Sequence, residues 1–484
     1  MQRIPASPGT ACLSIPAWLL AALSIVMCHG ASSPPSLLII QTDEHHFRTL
    51  GCYGGTIVGT PHIDRLAREG ALCSSFYATT PVCSPSRGAL VTGRYPQHNQ
   101  VVQNNIPLSG DMVTFAEVLR RQGYHTGFIG KWHLDGEGKP QWAPERQFGF
   151  EDNRFMFNRG HWKKFELREG EPRVGGRNDR GKPNYDLDGA DDLTFSTDFL
   201  VNRAMDFIES AKADPFCLML SLPDPHGPNT VRAPYDSMYD DVEVPIPSTI
   251  RKPEAQIPAW APTEAKLTVA TLRRLMPNYF GMVKCIDDNL GRLLRLLEQH
   301  GRLDQTVVIF TSDHGDLCGE HGRLNKGNPY EGSARIPFLL RYPPEVPGRT
   351  RIDVALSCVD FIPTVFSIMG VKDVVMRDGR DASAWFKGQR PEAWRDMAFL
   401  RSTTGQRWLC AVSDRYKLVY ARNEVPWLMD LQEDREEAFN HFQDKRHATV
   451  IRQLTQGLLE YCDAQKDPYG RIPELRRAML DRLP

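Results

Sequence analysis

The sequence TPVCSPSRG at residues 80–88, followed by LVTGR at residues 90–94, is the stretch around which the chain is organised. Ser84 and Pro85 favour a turn, and the residues from Ser86 onward can begin a helix. Cys83 is therefore predicted to lie just before the amino end of a helix, where the dipole favours an anion and activates a sulfur nucleophile. A structural cysteine buried in a loop is the alternative, because cysteine is among the most buried residue types.

Length and charge exclude several classes of protein. The 484 residues are enough for one large domain and a smaller one. The formal net charge of −1 shows no basic excess, so no nucleic-acid partner is expected. The ordinary apolar content excludes a disordered or multiply membrane-spanning chain. Nothing in the composition predicts an oligomeric state.

Residues 1–33 are predicted to be a secretory signal peptide. Arg3 supplies the positive charge, residues 17–27 form an apolar run, and small residues follow at 30–33. The run is too short for a stable membrane span, which needs roughly 20 apolar residues. A secreted or periplasmic protein is therefore expected. Nine of the eleven cysteines lie beyond this segment at scattered positions, so most are expected to be free thiols.

Apolar runs that predict buried strands alternate with amphipathic patterns that predict helices, and this order is typical of an α/β fold with a largely parallel sheet. The predicted strands are residues 36–42, 124–129, 215–222 and 306–311. The predicted helices are residues 60–70, 114–123, 196–212 and 279–301. A polar, Gly- and Arg-rich stretch at 151–192 is expected to be a surface insertion near a pocket mouth.

Polar residues follow the predicted strands, at the edge where open α/β sheets bind ligands. Asp43 and Glu44 come after the first strand, and two adjacent carboxylates suit a hard divalent cation. Asp313 and His314 follow a later strand and are also able to ligate a cation. Taken alone, the Asp43-Glu44 pair could equally be a solvated strand end.

Cationic residues end two other strands. Lys131 and His133 lie two residues apart, so both can face one anionic centre. His226 lies between two prolines, which make its turn stiff. Taken alone, Lys131 and His133 fit a surface lysine and a packed histidine, and His226 fits an exposed loop histidine.

Several segments together resemble the formylglycine-dependent sulfatases of the alkaline-phosphatase-like superfamily. The resemblance is carried by Cys-x-Pro-x-Arg at 83–87, by LVTGR, and by further motifs along the chain. These motifs are TPHIDRLA at 60–67, GKWH at 130–133, PHGP at 225–228, SDHG at 312–315, GEHG at 319–322, the element from Lys326 to Pro337, and VDFIPT at 359–364. The Asp313-His314 pair resembles the branch of the family that carries His at the metal site.

The resemblance implies a fold with a mixed, mostly parallel central sheet sandwiched by helices. It also implies a catalytic domain at residues 34–375 and a small α+β C-terminal domain at 376–484, where a hairpin at 415–431 and a helix at 448–465 are predicted. The pocket walls are expected to come from His45, His46, Asn104, Asn105, the 151–192 insertion and the C-terminal domain.

The resemblance also implies the roles of the site residues. A formylglycine-generating maturation enzyme would oxidise Cys83 to formylglycine, whose hydrate is the nucleophile. The divalent cation, expected to be Ca²⁺, would be held by Asp43, Asp313, His314 and position 83, with Glu44 as a further ligand. Arg87 and Lys131 would orient the hydrate, Lys131 would contact the sulfate, and His133 would help to remove a proton from the hydrate. His226 and Lys326 would act on the sulfate or the leaving oxygen.

The implied activity is hydrolysis of a sulfate monoester, on a sulfated carbohydrate or an aryl sulfate. Two alternatives stay open. One is a phosphonate or phosphate ester hydrolase with the same nucleophile, and the Asp313-His314 pair is consistent with it. The other is a non-catalytic protein that binds sulfated glycans and keeps Cys83 as a thiol.

Overall fold

Strands of mostly buried apolar residues form the framework of the molecule. The computed structural model describes residues 1–3, 9, 34–405 and 408–483, so the predicted signal peptide lies almost wholly outside the described residues. From residue 35 onward the chain forms one compact unit. Its strands are β1 Ser36–Asp43, β2 Ala71–Cys73, β3 Phe76–Tyr77, β4 His125–Lys131, β5 Met156–Phe157, β6 Phe165–Arg168, β7 Glu171–Val174, β8 Phe216–Pro225, β9 Thr306–Ser312, β10 Phe338–Arg341, β11 Thr350–Ile352, β12 Leu356–Ser357, β13 Ala398–Arg401, β14 Trp408–Val412, β15 Tyr416–Ala421 and β16 Trp427–Asp430.

The central sheet has the order β11-β2-β10-β9-β1-β8-β4-β5. Strand β1 pairs in parallel with β8 and β9, β4 pairs in parallel with β8 and β5, and β10 runs antiparallel to both of its neighbours. The sheet is therefore mixed and mostly parallel, as predicted. All eight residues of β1 are buried, as expected for a strand covered on both faces.

Helices cover the central sheet on both faces. Alternate residues of β1 belong to two different hydrophobic clusters, Leu37 and Ile39 to one and Leu38 and Ile40 to the other. The helices are α1 Pro61–Glu69, α2 Cys83–Thr92, α3 Pro96–Asn99, α4 Phe115–Arg121, α5 Ser196–Ser210, α6 Val269–Gln299, α7 Glu331–Ala334, α8 Phe361–Met369, α9 Ser383–Phe386, α10 Ala448–Ala464 and α11 Pro473–Leu480. The first cluster includes residues of α2, α4, α8 and α10, and the second includes residues of α1, α5 and α6.

Two helix starts differ from the prediction. Helix α6 begins at Val269, ten residues before the predicted start at Tyr279, because the hydroxyl of Thr268 accepts a hydrogen bond from the Thr271 amide and caps the helix. Pro277 lies inside this helix, where a proline is not expected because it lacks the amide hydrogen of the helical hydrogen bond. Helix α2 begins at Cys83 itself, so the thiol belongs to the first turn of the helix.

The C-terminal part contains an antiparallel sheet in the order β13-β14-β15-β16, followed by α10. The predicted hairpin is β15 and β16, and the predicted helix is α10. The boundary at residues 375/376 stays a prediction. Among the described residues, all nine cysteines are free thiols, as expected, and no helix is both long enough and apolar enough to cross a membrane.

A buried lysine links the C-terminal sheet to the rest of the molecule. Lys417 of β15 has no exposed surface, and its Nζ donates hydrogen bonds of 2.8 Å to Glu331 Oε1 and to Glu437 Oε1. The amide of Glu331 donates to Glu437 Oε2 (2.7 Å). Glu331 begins α7, five residues after Lys326. The C-terminal sheet thus holds the start of α7, close in the chain to a predicted site residue.

The buried ring of His321 is expected to make the free energy of unfolding depend on pH. Its ring is 3% exposed and stacks on Tyr330 with 3.5 Å between ring centres. Burial, and then the nearby Lys252 ammonium, hold the pKa of His321 well below its usual value. The unfolded chain therefore binds the extra proton as pH falls below the unfolded pKa of about 6.5, and stability is lost. Between pH 7 and pH 5 this histidine is expected to remove about 2 kcal/mol from the free energy of unfolding.

The measurement is urea unfolding of wild type and His321→Phe at pH 7 and pH 5. The phenyl ring keeps the stack but cannot bind a proton, so the variant should lose less stability on acidification. His98→Phe is the control, because the hydrogen bond between His98 and Asp378 raises the pKa of His98. Protonation of His98 therefore stabilises the fold, and this variant should lose more stability on acidification than wild type. If the free energy of unfolding fell by the same amount from pH 7 to pH 5 in wild type and in His321→Phe, the prediction would be contradicted.

Candidate active site

Four neighbouring strands bring the predicted site residues to one edge of the sheet. Strands β9, β1, β8 and β4 are adjacent and parallel, so their carboxyl ends lie together. The residues at or just beyond these ends are Asp313 and His314, Asp43 and Glu44, His226, and Lys131 and His133, respectively. Cys83, Arg87 and Lys326 reach the same place from α2 and from the loop before α7.

Asp43, Cys83, Asp313 and His314 form a buried cluster whose ligand atoms all lie within 4.8 Å of one another. Cys83 Sγ lies 3.1 Å from His314 Nε2, which is 3.6 Å from Asp313 Oδ1 and 3.8 Å from Asp43 Oδ1. His314 Nδ1 donates to the carbonyl of Gly315 (3.0 Å), so Nε2 faces the cluster. Burial opposes protonation of the ring, but Asp313 and Cys83 outweigh it and raise the pKa of His314 to about 9, so a bound cation would take the place of the Nε2 proton. Two carboxylates and an imidazole nitrogen fit a divalent cation.

Arg87 lies beneath this cluster and is 1% exposed. Its Nε donates to Asp313 Oδ2 (2.9 Å) and its Nη2 to Asp43 Oδ2 (3.0 Å). Its Nη1 donates to Gln41, to the Lys131 carbonyl and to Ser221. The guanidinium therefore fixes both carboxylates. Its described hydrogen bonds do not include Cys83, so the orienting role stays a prediction.

Cys83 itself is 2% exposed at the start of α2. Burial and Asp43 act to raise the pKa of its thiol, but Lys131, His314 and Lys326 outweigh them and hold it below its usual value. The next residue fixes the turn, because the Ser84 amide donates to Asn104 Oδ1 (2.9 Å) and its hydroxyl donates to the His133 carbonyl (2.7 Å). The side chain at position 83 is thus held among cations and next to the cluster.

Lys131 and His133 line the site on the β4 side. Lys131 Nζ forms an ion pair with Asp43 and lies 3.9 Å from Cys83 Sγ. His133 Nε2 donates to Asn105 Oδ1 (3.0 Å), while Nδ1 is buried without a hydrogen-bond partner among the described residues. Burial, and then the charge of Lys131, lower the pKa of His133 well below its usual value. His133 is therefore neutral, and the lone pair on Nδ1 is free to accept a proton.

His226, Lys326 and Glu44 form a second group beside the cluster. Glu44 Oε2 lies 2.9 Å from His226 Nε2, and Glu44 Oε1 lies 3.0 Å from Lys326 Nζ. Lys326 Nζ is also 2.8 Å from His226 Nε2. Burial acts to raise the pKa of Glu44, but His226 and Lys326 outweigh it and hold it low. The group is a carboxylate flanked by an ammonium and an imidazole, and Glu44 as a metal ligand stays a prediction.

Sequence reasoning missed His161, and it placed some wall residues imprecisely. His161 comes from the 151–192 insertion, and its Nε2 accepts a hydrogen bond from Lys131 Nζ (2.8 Å). No periodic pattern marks it, and its only signal is a histidine within an insertion expected near the pocket. Asn104 and Asn105, expected as pocket walls, accept hydrogen bonds from Ser84 and His133, and their place in the wall stays a prediction. His45 is fully buried, and its ring binds Thr42 and Thr49.

Comparisons with known proteins identify the family of this chain. The family model described as "Sulfatase" matches residues 35–371, and the one described as "N-sulphoglucosamine sulphohydrolase, C-terminal" matches residues 319–464. The chain is 28% identical to an N-acetylglucosamine-6-O-sulfatase of Bacteroides thetaiotaomicron, with 95% of this chain and 92% of that protein covered.

Two solved structures share the fold. One was solved in complex with its substrate D-glucosamine-2-N,6-O-disulfate; it has a TM-score of 0.74 and 24% identity, and the match covers 91% of this chain and 100% of that one. The other is a phosphonate monoester hydrolase of Agrobacterium radiobacter, with a TM-score of 0.70, 24% identity and coverage of 89% and 96%. Because the sulfatase model spans most of the chain and the site holds its motifs, the chain belongs to the sulfatase family of the alkaline-phosphatase-like superfamily and is a sulfatase.

Proposed function

We propose that this sulfatase hydrolyses a sulfate monoester of a sulfated carbohydrate, with a formylglycine made from Cys83 and a bound Ca²⁺. The observation that carries the proposal is the position of Cys83. Its Sγ lies 3.1 Å from His314 Nε2 and 3.9 Å from both Asp43 Oδ1 and Lys131 Nζ. A nucleophile at this position would lie between a cation site and the ammonium groups that bind a sulfate.

The buried side chains around position 83 suit both the cation and the formylglycine. Asp43, Asp313 and His314 would hold the cation, with position 83 as a further ligand and Arg87 bracing both carboxylates. The low pKa of the Cys83 thiol agrees with an environment that favours negative charge at this position. When bound, the cation and the modified residue supply polarised sulfuryl oxygens and a nucleophilic hydroxyl.

The remaining residues would bind the anionic ester or transfer protons. Lys131 and Lys326 would bind the anionic ester, and His133 would accept a proton at Nδ1 from position 83. His226 Nδ1 donates to the carbonyl of Gly227 (2.9 Å), so Nε2 is the atom able to exchange a proton. Together with Lys326 it would protonate the leaving oxygen, with the Glu44 carboxylate 2.9 Å from His226 Nε2 and 3.0 Å from Lys326 Nζ.

The substrate class and location rest on the relatives and on the sequence. An N-acetylglucosamine-6-O-sulfatase is similar over almost the whole chain, which favours a sulfated sugar as the substrate. The predicted signal peptide favours a secreted or periplasmic enzyme that meets a formylglycine-generating enzyme during maturation. The phosphonate alternative is favoured by one observation, the presence of His314 in the buried cluster, since that residue resembles the His-bearing branch.

Activity is expected to require both the modification and the metal. Enzyme co-expressed with a formylglycine-generating enzyme should release sulfate from 4-nitrophenyl sulfate, and a chelator should lower kcat/KM by about 100-fold or more, because the polarisation of the sulfuryl oxygens is lost. Added Ca²⁺ should restore the activity. The measurement is sulfate release together with the mass of the peptide that contains position 83.

The same preparation is then assayed on an aryl phosphonate and on sulfated glucosamine. A higher kcat/KM on the phosphonate would favour the phosphonate hydrolase. An intact thiol at position 83 with no hydrolysis, when a control sulfatase from the same cells is modified, would favour a glycan-binding protein.

A further inference from the structure

His161 contacts two of the predicted catalytic residues at once. The side chain comes from the insertion between β5 and β6, and its Nε2 accepts a hydrogen bond from Lys131 Nζ (2.8 Å). Its ring stacks on that of His226 with 3.4 Å between ring centres and 8° between ring planes. No motif described above includes this residue. Its position nevertheless connects the lysine beside Cys83 with the histidine beside Lys326.

The contact with Lys131 directs the lysine toward position 83. An ammonium group has three hydrogens to donate. Lys131 places one toward Asp43 and a second on His161 Nε2, and its third neighbour is Cys83 Sγ at 3.9 Å. Because a lysine cannot be the acceptor, His161 Nε2 must carry a lone pair and the ring is neutral. Burial, and then the charge of Lys131, favour the neutral form by lowering the pKa of His161.

The stack with His226 fixes the plane of the second imidazole. His226 Nδ1 binds the carbonyl of Gly227, and Nε2 faces Lys326 and Glu44. The parallel His161 ring covers one face of His226 and limits its rotation. If that ring were absent, Nε2 could turn away from Lys326 and from the place where a leaving oxygen would be protonated.

We propose that His161 is a positioning residue with two separable effects: its Nε2 aims Lys131 at position 83, and its ring holds His226 toward the leaving group. This inference rests on the proposed sulfate-ester hydrolysis. It also gives the 151–192 insertion a part in the chemistry, beyond its predicted place at the pocket mouth.

The test uses two substitutions and two esters. His161→Phe keeps a stacking ring but removes the acceptor for Lys131, and His161→Gln keeps an acceptor but removes the ring. Phenyl sulfate has a poorer leaving group than 4-nitrophenyl sulfate and depends more on protonation of the leaving oxygen. His161→Phe should lower kcat/KM on both esters alike, by about 10- to 100-fold, because Lys131 is displaced. His161→Gln should lose more on phenyl sulfate than on 4-nitrophenyl sulfate.

His125→Phe is the matched control. His125 stacks on Phe207 at the other end of β4, with 4.6 Å between ring centres, so the same substitution there should leave kcat/KM unchanged. The Tm and the formylglycine content of each variant are measured alongside activity. If His161→Phe does not fold, His161→Leu removes the same acceptor.

The outcomes separate the inference from the function on which it rests. Values of kcat/KM within about twofold of wild type in both variants would overturn the positioning role while leaving the sulfatase intact. Equal losses on both esters in both variants, accompanied by a lowered Tm, would also overturn it and indicate a purely structural residue. Modified wild type that hydrolyses neither ester would overturn the proposed function and the inference with it.

Discussion

Replacement of Cys83 by alanine is expected to lower kcat/KM for sulfate-ester hydrolysis by about 10⁴-fold or more, because the nucleophile is removed. Lys131, His226 and Lys326 would still bind the ester, so the loss should fall mainly on kcat. The fold should survive, since the change removes a single sulfur atom at the start of α2 and should cost only about 1 kcal/mol of stability. The measurements are steady-state kinetics and the Tm of the purified variant.

Cys217→Ala is the control for the loss of a buried sulfur. Cys217 is fully buried near the amino end of β8, whereas the site lies at the carboxyl end of that strand. This variant should retain its activity with a similar change in Tm. Full activity in Cys83→Ala, with the same preparation free of wild-type enzyme, would refute a nucleophile at position 83.

Replacement of Arg87 by methionine is expected to lower the free energy of unfolding of the metal-free enzyme by about 3–5 kcal/mol. The guanidinium is the partner of two fully buried carboxylates, and its loss leaves Asp313 without an arginine at bonding distance. Asp43 would keep its ion pair with Lys131. A cation in the cluster would compensate for the lost charge, so added Ca²⁺ should recover part of the stability.

Urea unfolding with chelator and with Ca²⁺ measures both effects. Arg65→Ala is the matched control, because its ion pairs with Glu69 and Glu298 are partly exposed and should contribute only about 1 kcal/mol or less. A similar small loss in Arg87→Met, or a loss that Ca²⁺ does not change, would contradict the bracing of a cation site by Arg87.

Much of the fold followed from the sequence because β1, β4, β8 and β9 are short apolar runs whose ends carry the polar residues. Parallel strands bring such ends together without any further information, so Asp43, Lys131 and Asp313 could be grouped in advance. The first ten residues of α6 were missed because Pro277 and polar neighbours hide a capped helix whose stability comes from packing.

The site was less predictable where a contact depends on long-range folding. His161 lies in an insertion without periodicity, and only the folded structure places its ring on His226. Glu44 adjoins Asp43 in the chain, yet its side chain turns toward His226 and Lys326. Its backbone has a positive φ of 62°, which sequence patterns do not reveal for a glutamate. Side-chain direction, more than residue identity, was the missing information.

The salt bridge of Lys417 has a consequence for recombination between relatives. A chimera that joined this catalytic part to the C-terminal part of another sulfatase would keep Glu331 but take the residues at positions 417 and 437 from the donor. If the donor supplied a carboxylate at 437 without a lysine at 417, two acidic groups would share a buried space without this cation between them. Exchange of the C-terminal part is therefore expected to give a stable protein only when the donor also has lysine at position 417 and glutamate at position 437. The catalytic and C-terminal parts are thus expected to be inherited together.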